Sequence, residues 1–404
     1  LKNNYLLFFG VWMDRRKFLK TGIVLGTGIL IPSIFGCRLT EPTGIGRNLT
    51  FRSIIPSVIG ALVFENKILA KLKGLDRQYI LTFYTKNSIR NEHNLINNVS
   101  LSDELRIIEI LRSVGYLMWE DVSLISSGAE DKVLSPENIE RVTEESINQL
   151  GGMKSFVNRG DKVILKPNIG WARRPEQAAT TNPFVIKKVI ELCYNAGASE
   201  VRVTDLPCNS ASITFERTGI QKAAESVDGI VYYPKSHRVK VMNFKDKRTI
   251  FLPVDEKEIK SWPIFIDFLE ADKVINIPVA KVHNLSKLSL GMKNWYGAIS
   301  GRRNQLHQAI HESIASLAYH FSPDLTIIDA IRILIKNGPT GGLESDVKIK
   351  NTIIASRNQV GADAVATTLF GMKPEDIEHI KIASKSFGMG DYDLNKLNII
   401  KKKI

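Results

Sequence analysis

The chain has 404 residues, of which 44% are hydrophobic and 24% charged, and it carries a formal net charge of +13. These proportions exclude a disordered chain and suit one large or two ordinary domains with a buried core. The positive balance favours anionic ligands or an anionic membrane surface; without an aromatic-basic binding motif, nucleic acid is not an expected partner.

The first patterned segment is residues 13–37. Met13 and Asp14 lead into Arg15, Arg16 and Lys17, and a modestly apolar run ends at Ile34, Phe35, Gly36 and Cys37. Gly22, Gly26 and Gly28 interrupt that run, which at about 15 residues is short for a membrane span of roughly 20. The segment resembles a twin-arginine export signal closed by a lipoprotein-type cysteine. The resemblance implies passage through the twin-arginine export machinery and a lipid on Cys37. The protein would then sit at the periplasmic or other extracytoplasmic face of a bacterial membrane. An uncleaved N-terminal anchor is the other reading. We take Met13 as the start and leave residues 1–37 out of the fold. They hold Lys2, Arg15, Arg16, Lys17 and Lys20 against Asp14, a net +4 of the +13, which leaves +9 on the rest.

Residues 38–126 read as a tether and a small mixed extension. Pro42, Gly44 and Gly46 mark the tether, and Ser102 followed by Asp103 and Glu104 predicts a helix over 102–116. From 133 the pattern becomes regular. Ser135 and Pro136 open a helix that Gly151 and Gly152 close; Asn182 and Pro183 open another, closed by Gly197. Strand-like runs fall at 162–166, 201–204, 229–233, 239–244, 273–277, 325–329 and 352–356. Helical patterns fall at 215–226, 304–320, 361–370 and 374–384. This alternation predicts an α/β fold, a mostly parallel, Rossmann-like sheet covered by helices, over 127–372. Residues 373–404 are read as a C-terminal helix and a basic tail ending in Lys401, Lys402 and Lys403.

Several short runs carry a second resemblance. They are Gly160 with Lys166, Pro167 and Asn168; Thr180, Thr181, Asn182 and Pro183; Gly197 with Asp205; Asn276, Pro278, Lys281 and His283; Gly291, Lys293, Asn294 and Gly297; and Gly361 with Asp363. In this order and spacing, residues 127–372 resemble the domain of unknown function 362 family, an α/β family. Many of its members carry a ferredoxin-like cluster module, whose cysteines this chain lacks. Its three cysteines are Cys37, Cys193 and Cys208, too few for the four thiolates of a self-contained iron–sulfur cluster. A Cys193–Cys208 disulfide is open in an oxidising compartment.

Two groups of residues are candidates for chemistry. Lys166, Asn168 and Asp205 follow the carboxyl ends of strands, where open α/β sheets bind ligands, and Thr181 follows in the same loop. The cation and amide suit a carboxylate or phosphate, and the Asp a hydroxyl or metal. The second group lies between 281 and 311. Lys281 and Asn294 are read as ligand-binding, and His283 and Lys293 as catalytic, supplying acid–base or covalent chemistry. His307 and His311 stand four apart on an expected helix, so they would share a face and chelate a divalent metal. Gly341 and Gly342, in a glycine-rich loop, could form an anion nest. His283, the Ser289 to Lys293 stretch and His307 are similar to an arrangement in the nickel-dependent lactate racemase family. That likeness implies Lys293 as the amine attached to a nickel-pincer nucleotide, with His283 and His307 as ligand or acid–base groups. The Asp-His-Thr-Arg-Pro stretch of that family has no counterpart beyond Arg173, Arg174 and Pro175. The sequence thus suggests an exported, membrane-tethered protein that acts as an enzyme on a small anionic substrate or bound cofactor. The alternative is a non-catalytic lipoprotein that binds a metal or anion.

Overall fold

The computed structural model describes residues 5–8, 11–14, 121–127, 132–235, 237–244 and 249–404. The chain divides into two units, Leu1–Trp119 and Glu120–Ile404. The described part of the first is an antiparallel hairpin of Tyr5–Phe8 with Val11–Asp14. Cys37, the tether and the 102–116 helix lie outside the described residues.

The second unit is built on a ten-stranded sheet. In chain order its strands are β1 (Asp121–Ser126), β2 (Lys162–Pro167), β3 (Glu200–Val203), β4 (Ile230–Val231), β5 (Lys273–Ile277), β6 (Val279–His283), β7 (Lys287–Ser289), β8 (Leu325–Leu334), β9 (Val347–Ser356) and β10 (Asn398–Lys403). Across the sheet they run β10-β1-β9-β8-β5-β2-β3-β4, with β6 paired to both β7 and β8. Every pairing is parallel except those made by β9 and β7. The expected mostly parallel α/β sheet is present.

The main helices begin where their caps predict. α1 (Pro136–Asn148) starts behind Ser135, whose hydroxyl accepts from Asn138 N. α2 (Pro183–Ala196) starts behind Asn182 and ends on Gly197 at φ 103°, a left-handed position that glycine adopts without strain. The 215–226 pattern is broken by Gly219 into α3 (Ala211–Arg217) and α4 (Ile220–Glu225). A single turn, α5 (Asp267–Glu270), precedes β5. α6 (Ile310–Phe321), α7 (Gln359–Thr367) and α8 (Glu378–Lys381) complete the set. Adjacent residues of β1 point to opposite faces. Ser123 donates to Ser146 O of α1, and Val122 lies against Gly361 of α7. The sheet is therefore covered on both sides. No helix among the described residues is long and apolar enough to cross a membrane.

Three expectations change. The α/β unit extends beyond 127–372: β1, placed by sequence in the extension, and β10, read as tail, are neighbouring strands of the same sheet. Exposed lysines are what an edge strand carries, which is why the segment reads as a solvated tail. The predicted 304–320 helix is a 3₁₀ segment, Arg303–Ala309, followed by α6. Cys193 and Cys208 are both free, the first in the buried face of α2 and the second exposed in a loop.

Candidate functional site

The order of the parallel strands reverses between β2 and β5. β3 and β4 extend the sheet on one side of β2, while β5 and β8 extend it on the other. Loops leaving the carboxyl ends of strands separate at such a point and leave a crevice. Lys166 and Asn168 lie at the end of β2 and Asp205 just after β3. The end of β5 holds Asn276, and the chain continues through Pro278 into β6, which carries Lys281 and His283.

The buried pair Lys166–Asp205 anchors this edge. Lys166 Nζ donates to Asp205 Oδ1 at 2.6 Å and to Pro167 O at 2.8 Å, and Asp205 Oδ2 accepts from Ile169 N at 2.6 Å. Gly297 closes over the pair. A Cβ there would fall onto Asp205 Oδ1 and 2.8 Å from Lys166 Nζ, so only glycine permits the approach. A ladder of amides joins the other strands. Asn294 Nδ2 donates to Asn276 Oδ1 at 2.8 Å and to Lys166 O at 3.1 Å; its Oδ1 accepts from Asn168 Nδ2 at 3.1 Å. Asn276 in turn donates to Gly291 O at 2.8 Å. Thr181 Oγ1 accepts from Asn168 N and donates to Ile277 O, which ties the loop after β2 to β5. Lys281 Nζ reaches across to Ala179 O at 2.5 Å and Asn168 Oδ1 at 3.3 Å.

The 3₁₀ segment Met292–Ala298 carries Lys293 into this network. Asp363, inside α7, holds the start of that segment by accepting from Gly291 N at 2.7 Å and Met292 N at 3.0 Å. Lys293 is buried, and its Nζ lies 3.4 Å above the centre of the Tyr296 ring. Burial first, then Arg303 and Lys281, push the Lys293 amine down to about 7. Burial likewise pulls Lys281 to about 7. It also lowers Lys166, against the raising pull of Asp205. Arg303 spends its guanidinium on Leu206 O, Tyr296 O, Pro207 O and Cys208 Sγ, so it contributes charge while bracing the loop after β3.

Two imidazoles complete the group with opposite hydrogen-bonding characters. His283 Nδ1 accepts from Leu285 N at 3.2 Å and Ser286 N at 3.3 Å, so its proton sits on Nε2. His307 Nδ1 lies 3.2 Å from Asn304 O; a carbonyl only accepts, so this nitrogen carries the proton and Nε2 is the acceptor. The rings stack with centroids 6.4 Å apart. Burial, followed by the charges of Lys293, His307 and Lys281, takes His283 down to about 3. His283 is therefore a neutral hydrogen-bond donor at ordinary pH.

The structure brings together Lys166, Asn168, Thr181, Asp205, Lys281 and Asn294 by direct hydrogen bonds, and Lys293 and His283 through a chain of ring contacts in which Lys293 lies on Tyr296, Tyr296 meets His307 and His307 stacks on His283. It does not give His307 and His311 a common face. The 3₁₀ winding before α6 turns them apart, so His307 meets His283 and Tyr296 while His311 stacks on the buried His379. Among the described residues, no group of three histidine, cysteine or acidic side chains is placed to hold a metal. Of the two imidazoles, His307 has a lone pair on Nε2 to offer a ligand, whereas His283 carries its proton there. In the glycine-rich loop, Gly341 N donates to Asn337 O, and Gly342 O accepts from Gln177. That loop braces the loop after β2. Asn276 is not among the candidates from sequence, whereas Asp363 is one, Arg303 reads as a cation able to activate Lys293, and Gly291 and Gly297 as positions that let backbone approach closely.

Fold and site together define an α/β protein with a buried, cation-rich cluster at the switch point of its sheet. Residues 163–368 match the family model described as a domain of unknown function (DUF362), and the chain belongs to that family. A thylakoid-associated protein of Synechocystis sp. is 26% identical over 239 residues, covering 57% of this chain and 70% of that protein. The crystal structure of a Thermotoga maritima protein, 11% identical, aligns over 60% of each chain with a TM-score of 0.41. The lactate racemase apoprotein from Thermoanaerobacterium thermosaccharolyticum, 14% identical, aligns over 61% of this chain and 56% of that one with a TM-score of 0.35. The chain thus spans less than two thirds of either solved structure.

Proposed function

We propose that the chain is an enzyme that binds a small anionic substrate in the crevice between β2 and β5 and acts on it with Lys293. The observation that carries this is the charge balance at the sheet edge. Lys166, Lys281, Lys293 and Arg303 converge there, and among the described residues Asp205 is the carboxylate that pairs directly with one of them. Buried cations in excess of their partners are costly unless an anion joins them. Lys166 and Lys281 each commit two of their three N–H donors to the protein, and one N–H on each is left over. Lys293 would serve as base or nucleophile, because burial and neighbouring cations are what make a lysine amine neutral near pH 7. His283 would donate a hydrogen bond to charge developing on the substrate, a neutral electrophile and not a proton donor.

Calorimetric melting in the presence of inorganic phosphate, acetate, oxalate and citrate tests the binding half of this reading. At least one anion should raise Tm in proportion to RT ln(1 + [L]/Kd), and Lys293→Ala should weaken that response. A panel that leaves Tm unmoved overturns the proposal.

We further propose that the protein is exported by the twin-arginine route and held at a membrane surface by a lipid on Cys37. The Arg15-Arg16 and Cys37 pattern supports this, as does the thylakoid association stated in the name of the Synechocystis relative.

A further inference from the structure

We propose that the substrate class is a 2-oxo carboxylate and that Lys293 captures it as a Schiff base. This rests on the anion-binding reading above and adds to it the reacting group of the ligand. The case is geometric. Lys166 and Lys281 are held by carbonyl, amide and carboxylate oxygens, as structural lysines are. Lys293, 7% exposed where Lys166 and Lys281 are 0% and 2%, makes no side-chain hydrogen bond among the described residues, and its contact is the face of Tyr296. A buried amine placed on an aromatic ring and left without an acceptor is positioned to react, because nothing in its surroundings needs its N–H groups. The ligand should therefore present an electrophilic carbon to Lys293 and a carboxylate to the spare N–H donor of Lys281. A keto or aldehyde carbon bonded directly to a carboxylate combines the two within a few atoms.

The two imidazoles supply what imine formation requires. The neutral Lys293 amine attacks the carbonyl carbon, a C–N bond forms, and the π electrons move onto oxygen, where the Nε2–H of His283 meets them. His307, with its Nε2 lone pair, takes the proton shed by the new ammonium and returns it to the carbinolamine oxygen. The resulting hydroxyl takes a second proton from solvent and leaves as water while the nitrogen lone pair closes the C=N bond, so amine, carbonyl and one proton give iminium and water with no oxidant or reductant. Lys293 titrating near 7 keeps a large neutral fraction under ordinary conditions.

The test uses the whole chain incubated separately with glyoxylate, pyruvate and 2-oxoglutarate in the presence of cyanoborohydride, followed by peptide mass mapping. At least one should give a single reduced adduct on the Lys293 peptide, forming readily at pH 7.5, when exposed lysines remain protonated. His307→Gln should slow that adduct by about 10²-fold, the ordinary contribution of a positioned proton-transfer group, and His283→Gln by about 10²-fold through loss of the hydrogen bond to the developing oxyanion. Adducts spread over surface lysines with Lys293 untouched, while simple anions still raise Tm, would overturn the Schiff base and leave the anion site standing. If no anion raises Tm and no adduct reaches Lys293, the underlying reading fails as well. A Lys293 adduct that forms as fast with acetaldehyde as with pyruvate would overturn the assignment of the carboxylate.

Discussion

At the scale of single residues, the site depends on how closely backbone approaches charge. Gly297 makes the point most sharply, because a methyl group there would occupy the space where Asp205 and Lys166 meet. Gly297→Ala should force the pair apart and cost about 3–5 kcal/mol, as breaking a buried ion pair does. Gly371 is the control. Its φ of +68° is left-handed, but nothing lies within 4 Å of an added Cβ, so Gly371→Ala should cost only about 1 kcal/mol. Chemical denaturation of the two variants checks the contrast. Lys293 leads to a pH prediction of unusual sign. Its folded-state value, about 7, lies below the 10.5 of a free lysine. Between those values the unfolded chain binds more protons than the folded one, so the Lys293 contribution to stability rises with pH. Wild type should therefore gain stability relative to Lys293→Met as pH rises from 7 to 10, in denaturant titrations at fixed ionic strength. A constant difference across that range would mean the amine is not desolvated.

At the scale of elements, helix ends were legible because capping is local chemistry. Ser135 with Pro136 and Asn182 with Pro183 announced α1 and α2, and Gly197 announced where α2 stops. Gly197→Ala should cost about 1–2 kcal/mol, since it combines φ 103° with a Cβ only 3.1 Å from Arg159 Cα. Asn182→Ala should cost about 1 kcal/mol, the value of an N-cap. Equilibrium melts of the two variants measure both. What local signals could not carry was long-range pairing. β6 contains Lys281 and ends in His283, so it reads as a polar loop; burial between β8 and the loop after β2 makes it a strand. β10 looked like a tail for a similar reason, since its lysines are exposed on an edge. The distinction between 3₁₀ and α winding at 303–309 has no capping signature, and the expected shared face of His307 and His311 was lost with it. The site was legible in part. Lys166, Asn168 and Asp205 follow strand ends, where position alone nominates them. The bonds from Asn294 to Lys166 and from Lys281 to Asn168 span more than a hundred residues of sequence, and no spacing rule anticipates them.

At the scale of the whole molecule, net charge and the proposed tether act on the same question, where the protein resides. An excess of +13, with +9 beyond residue 37, would favour anionic lipid as the proposed partner, but attraction of that kind is screened within about 10 Å at 0.1 M salt. A single acyl chain is itself only a marginal anchor, so charge and lipid together would hold the protein more firmly than either alone. The two contributions separate experimentally. In a bacterial host with a working twin-arginine pathway, exchanging Arg15 and Arg16 for lysine should leave the protein in the cytoplasm, because that pathway reads the arginine pair itself. Cys37→Ser should still export, but the product should leave the membrane pellet at 1 M salt while wild type stays. If the Cys37→Ser protein resists both high salt and alkaline carbonate, the apolar run is an uncleaved anchor and the lipid assignment is wrong. If the lysine exchange does not alter export, the segment is not a twin-arginine signal, and the protein would have to reach its compartment unfolded. The crevice at the switch point of the sheet would then have to assemble, and meet its anion, on the far side of the membrane.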